Sequence, residues 1–121
     1  MQERTGLEAQ DLAKQIVDLA SEKQASDIVM LDLRNVSLLA DYFVVCSGTS
    51  ERQINAIVDD IVEQVRDNAH RRPLRREGIP SSGWILLDYG EVVVHVFAPA
   101  EREYYRLEDL WSDATPVIRV Q

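Results

Sequence analysis

Gly48-Thr49-Ser50 is the stretch of this 121-residue chain whose residue types come nearest to chemistry. It follows the apolar run Tyr42-Phe43-Val44-Val45-Cys46 and precedes a helix, a junction whose free backbone N–H groups bind phosphate readily. Nucleotidyltransferases hold a nucleotide on such a glycine–serine turn, with Mg²⁺ bound by carboxylates that alternate along one strand face. Here the next acids, Asp59 and Asp60, are neighbours on a helix and point about 100° apart around its axis, a poor arrangement for sharing a metal ion. Asp88 and Glu91 flank a turn and are too few. A nucleotide-binding or nucleotidyltransferase-like module at Gly48-Thr49-Ser50 is therefore the alternative reading, and it lacks the ligands for catalysis.

The remaining reactive side chains are isolated. His70 and His95 lie far apart in the chain with neither H-x-H nor H-x-x-x-H spacing, which argues against a metal site. Cys46 is the single cysteine, so an intramolecular disulfide is excluded, and its apolar neighbours predict a buried, inert thiol. Ser47 and Ser50 do not form a G-x-S-x-G elbow. No catalytic residue, metal or cofactor is expected, and the chain reads as a non-enzyme.

Charge points to a partner instead. Twenty-one acids against thirteen Lys and Arg give −8, which repels phosphate backbones at long range and favours a basic protein surface. Direct nucleic-acid binding is expected to be slight. Arg66, Arg71, Arg72, Arg75 and Arg76, accompanied by Asp67 and Glu77, form a basic exception. Two readings of it stay open: a solvated helix end whose cations complement the dipole, or a small phosphate contact. No apolar run approaches the ~20 residues of a membrane span, and Met1-Gln2-Glu3-Arg4-Thr5 carries no apolar targeting core, so a cytoplasmic location is expected. With 45% hydrophobic and 28% charged residues, the chain reads as one soluble globular domain over 1–121.

Apolar spacing lays out the elements. Leu12, Ile16, Leu19 and Lys23, widened by Ala9, Ala13 and Ala20, predict a helix from Leu7 to Lys23. Strands follow at Ile28–Leu33 and Tyr42–Cys46, with an irregular segment from Arg34 to Asp41. Ser50-Glu51-Arg52-Gln53 is a capping-box pattern, and Ile54, Ile57, Val58, Ile61, Val62 and Val65 make the following helix one-sided. The strand–helix–strand order predicts a right-handed crossover with parallel strands. Arg72 to Gly83, rich in Pro, Gly and Ser, is expected as a loop. Trp84–Tyr89 and Val92–Phe97 form a hairpin around Gly90, with either Tyr89-Gly90 or Gly90-Glu91 as its loop. Pro99 suits the first turn of a last helix with a Tyr104, Leu107, Leu110 and Trp111 stripe. The order α-β-β-α-β-β-α describes an α/β fold with about four strands in a mixed sheet and helices packed on it.

Both hairpin loops group the side chains identically. Ile85, Leu87, Tyr89, Val92, Val94 and Val96 form a core face. Trp84, Leu86, Asp88, Glu91, Val93, His95 and Phe97 form a mixed face. Either the chain covers that second face itself, with His95 hydrogen-bonded inside, or the face is an interface with a Trp anchor and flanking carboxylates.

Three blocks carry a resemblance: Ala40-Asp41-Tyr42-Phe43 with Gly48-Thr49-Ser50-Glu51-Arg52, then Trp84 through Phe97, then Arg102 through Trp111. Together they resemble the ribosomal silencing factor family (RsfS, Iojap-like), over about Leu7 to Asp113. Residues 114–121 are left as a C-terminal tail. The resemblance implies a nucleotidyltransferase-like fold without catalysis. It also implies binding to ribosomal protein fourteen of the large subunit and a steric block to subunit joining when nutrients are short. Combining the family blocks with the faces, the expected contacts are Trp84, Leu86, Asp88, Glu91 and His95, then Arg102, Tyr105 and Glu108, with Glu77 joining from the loop. A homodimer that buries the mixed face on itself when free is a third reading.

Overall fold

The computed structural model describes residues 6–110 and 114–121. Helix α1 (Gly6–Glu22) buries Ala9, Leu12, Ala13, Ile16, Leu19 and Ala20, the stripe its spacing predicts. Strands β1 (Ser26–Asp32) and β2 (Tyr42–Ser47) pair antiparallel. Helix α2 (Glu51–Ala69) buries Ile54, Ile57, Val58, Ile61 and Val65, and each of these contributes about 2 kcal/mol by leaving water. Strands β3 (Arg75–Glu77), β4 (Trp84–Asp88) and β5 (Val92–Phe97) follow, with one 3₁₀ turn at Pro80–Ser82. Helices α3 (Pro99–Tyr105) and α4 (Leu107–Leu110) and strand β6 (Thr115–Val120) come last.

The sheet order is β3-β4-β5-β2-β1-β6, and β2 runs parallel to β5 while the other neighbours are antiparallel. Helices α1 and α2 pack on one face. There Ile85, Leu87, Tyr89, Val92, Val94 and Val96 are fully buried, as the hairpin parity predicts. The α/β class and the mixed sheet stand as expected. No helix among the described residues is long and apolar enough to cross a membrane.

Five details differ from the expectation. The sheet has six strands rather than about four. Strand β3 lies inside the expected loop; its three residues are all exposed and polar, so no apolar alternation announces it, and backbone pairing with β4 holds it. Strand β6 occupies the expected tail, where Ile118 and Val120 pack against the main core and Pro116 is tolerated on an edge strand. The crossover through α2 makes β5, not the first hairpin strand β4, the parallel partner of β2. Finally, the last helix breaks at Arg106, which is left-handed at φ 48, so Tyr104 stands 80% exposed instead of joining a buried stripe. Trp111 and the Leu110 side chain lie outside the described residues.

Candidate interaction face

The hairpin register sets which side chains meet. Trp84 pairs with Phe97, Leu86 with His95 and Asp88 with Val93. Tyr89 N–H donates to the Val92 carbonyl at 2.9 Å, which leaves Gly90-Glu91 as the loop. Gly90 takes φ 97, the positive value that a type II′ turn needs at its first loop position. Parallel pairing with β2 adds Phe43 and Val45 beside Val93 and His95. This is the sheet face turned away from α1 and α2.

One end of the face is closed by the chain itself. The Tyr105 ring lies 4.6 Å from Trp84, which stacks on Phe97 at 4.9 Å, and Leu107 buries against the same group with Val45. Arg102 pins α3 there: its Nη1 donates to the Asp27 carbonyl at 2.6 Å and to Ser47 Oγ at 3.0 Å. Arg102 was expected to face a partner, but these bonds commit it to holding its own helix. Tyr105, expected off the buried stripe, is a half-covered wall of the Trp84 cluster. Glu108 lies on α4, and its side chain is outside the described residues.

His95 also departs from its expected place as a surface contact. It is 3% exposed, with Phe43 edge-on at 4.6 Å, and its Nδ1 accepts from Trp84 Nε1–H at 3.2 Å. Burial disfavours the imidazolium and pushes the pKa down from 6.5 to about 4. The unfolded chain therefore takes up this proton before the folded chain does. Stability is full above about pH 6.5 and falls as pH drops towards 4, by about 3 kcal/mol in all. Urea unfolding between pH 7.5 and 4.5 measures that loss, and His95→Phe should flatten it.

The other end is open. A groove of about 380 Å³ runs between the Arg34–Asp41 loop and β3–β4, walled by Leu39, Phe43, Leu74, Leu86 and Val93. Leu39 is 89% and Leu74 72% exposed, with Leu38 and Ile79 also in solvent nearby in the chain. An adjoining hollow of about 300 Å³ brings Glu77 and Gly78 to Trp84 and Leu86. Asp88 sits on the groove rim; its Oδ1 accepts from Gly90 N–H at 2.8 Å and its Oδ2 lies 3.6 Å from Arg75. Trp84, Leu86, Asp88 and Glu77 are thus gathered on one side, as expected. Glu91 is not, because it pairs with Arg71, which lies by the groove between α1 and the end of α2. Sequence reading passed over Leu39, Phe43, Leu74 and Ile79. The signal was there: leucines and an isoleucine in two segments otherwise read as loops, where polar residues are the norm.

At the glycine turn, two backbone N–H groups are taken by the turn's own side chains. Ser50 Oγ accepts from Gln53 N–H at 3.0 Å, and Gln53 Oε1 accepts from Thr49 N–H at 2.7 Å and Thr49 Oγ1 at 3.0 Å. The capping box therefore reaches back to Thr49 rather than Ser50. Gly48 has a packing role, since a Cβ there would stand 2.9 Å from Ile54 Cγ1. Cys46 is fully buried, and burial raises its thiol pKa to about 12. Within the arginine cluster, Arg66 contacts Asp67, Arg71 contacts Glu91, and Arg75 contacts Glu77 and Asp88.

Comparison with known proteins adds relatives. A family model described as "Ribosomal silencing factor during starvation" matches residues 7–121. A Bacillus subtilis protein named ribosomal silencing factor is 46% identical over 77% of this chain and 78% of its own length. A mouse protein, named mitochondrial assembly of ribosomal large subunit protein 1, is 33% identical over 80% of this chain and 43% of its own length. A crystal structure of a Chromobacterium violaceum protein superposes with a TM-score of 0.81 at 32% identity, covering 93% of this chain and 92% of that one.

Proposed function

Because the chain belongs to the ribosomal silencing factor family, we propose that it binds ribosomal protein fourteen of the large subunit through the open sheet face and keeps the small subunit from joining. The observation that carries this reading is the groove flanked by Leu39 and Leu74, which shares Leu86 with the Trp84 hollow. A folded domain rarely leaves several large aliphatic side chains in water around a tryptophan unless a protein covers them. The net charge of −8 suits a basic protein as that cover and disfavours the surrounding RNA. Blocking needs only occupancy, so no bond has to be made or broken. The mouse relative's name, which concerns assembly of the large subunit, supports that subunit as the target. Such a role places the chain where ribosomes are, in the cytoplasm of a bacterium.

Enzymatic use of the glycine turn is disfavoured, because Thr49 N–H and Gln53 N–H already serve Gln53 and Ser50, and no cluster of carboxylates among the described residues could hold the metal ion that nucleotidyl transfer needs. ATP or CTP with Mg²⁺ is accordingly expected to leave the melting temperature unchanged, whereas a bound nucleotide would raise it. The direct test mixes purified protein with isolated large subunits, measures co-sedimentation, and then adds small subunits. Pelleting with large subunits and a reduced yield of joined ribosomes are expected. Failure of either refutes the reading.

A further inference from the structure

We propose that Arg72 and Arg76 bind phosphate groups of large-subunit RNA beside the protein contact, so that the docked chain is held by protein at the groove and by RNA at the β3 edge. This rests on the preceding reading that the open face receives a basic ribosomal protein.

The stretch from Arg66 to Glu77 holds five arginines against two acids, in a chain whose net charge is −8. The fold divides those arginines. Of the five, Arg66 alone lies inside α2, where a cation complements the helix dipole, an effect confined to the last turn. Arg71 is committed to Glu91 and to the Tyr89 carbonyl, and Arg75 lies 3.4 Å from Glu77 and 3.6 Å from Asp88. Arg72 and Arg76 are exposed, lie beyond the helix end, and have no hydrogen bond or ion pair among the described residues.

Both lie two residues from Leu74, a wall of the groove, so docking there carries them up to the particle. Strand β3 ends the sheet. On it Arg76 pairs with Leu87, which belongs to the core under α1 and α2, so Arg76 leaves the strand on the helix side. Arg75, opposite Asp88, leaves it on the groove side. A protein seated in the groove therefore meets the neutralised arginine, and Arg76 stands outside that contact. A basic partner would moreover repel both free guanidinium groups. Phosphates around a ribosomal protein attract them and suit their planar fork. The acidic remainder of the chain repels RNA, which confines the contact to this edge.

Binding of the parent, of Arg72→Gln with Arg76→Gln, and of a control, Lys14→Gln with Arg119→Gln, is measured over a series of KCl concentrations. The targets are isolated large subunits and purified ribosomal protein fourteen. The control removes exposed cations on α1 and β6, so both variants change the net charge equally. The arginine variant is expected to bind large subunits about ten-fold more weakly, with a slope of log affinity against log salt shallower by about 1.5–2. It should bind the purified protein within about three-fold of the parent. Unchanged affinity and slope on subunits leave the two arginines as guards of the sheet edge and overturn the proposal. Equal losses on subunits and on the purified protein place the contact on protein and overturn it too, as does an equal loss in the control. Parent protein that binds neither target overturns the preceding reading and this one with it.

Discussion

Protein carrying Leu39→Gln and Leu74→Gln together is expected to bind large subunits about 100-fold more weakly while melting within about 1 °C of the parent. The two leucines stand 89% and 72% exposed, so the free protein gains little from them. A partner filling the groove would take both out of water. Full burial of a leucine is worth about 1.5–3 kcal/mol. If roughly half survives the costs of association, the pair supplies about 2.7 kcal/mol, which is two powers of ten in affinity. Glutamine leaves the net charge at −8, so long-range steering is unchanged and the loss should fall on dissociation rather than association. Val117→Gln is the control, because Val117 is 39% exposed on β6 at the opposite edge of the sheet from β3. Equal binding by the double variant and the control would move the contact surface away from the groove.

Periodicity and parity made much of this molecule readable in advance. Helix α2 was legible because Ile54, Ile57, Val58, Ile61 and Val65 repeat with the helical turn and its cap, Ser50, precedes them. The two hairpin faces followed from alternation alone, and the fully buried set from Ile85 to Val96 is the one that parity selects. Strand β3 was not legible, since Arg75, Arg76 and Glu77 are held by backbone bonds to β4 and carry no apolar signature. The break in the last helix escaped for a related reason. Arg106 adopts φ 48 without being a glycine, and nothing in Tyr104-Tyr105-Arg106 marks it. The site suffered from both limits. Residues expected on it through strand parity, Trp84, Leu86 and Asp88, do gather, whereas Arg102 and Glu91 turn to Ser47 and Arg71 through contacts between elements distant in sequence. The groove needs Leu39 and Leu74 from segments that patterning left as loops, and only the fold brings them together.

Gly78→Ala is expected to lower the melting temperature by about 10 °C and to weaken large-subunit binding as well. Gly78 adopts φ 90, and an added Cβ would stand 2.0 Å from the Trp84 carbonyl oxygen. The conformational penalty at positive φ is about 1–2 kcal/mol. Overpacking adds about 1–3 kcal/mol, because the obstacle is backbone and has no rotamer to swing away. Together they come to about 3 kcal/mol, or roughly 10 °C for a domain of this length. Gly83→Ala separates the two contributions. Gly83 has a similar φ of 76, yet the atoms its Cβ would meet, at 2.5 Å, belong to the Glu101 side chain, which can move aside. That variant should lose only the conformational part, about 1–2 kcal/mol. The binding consequence also differs. Relief of the Gly78 clash must shift β3 from β4 near the Glu77–Leu86 pair, and β3 is flanked by Leu74, one wall of the groove. Measured at a temperature where both variants are folded, Gly78→Ala should therefore bind more weakly than Gly83→Ala. If the two melt and bind alike, the β3–β4 junction is not what sets the shape of the contact surface.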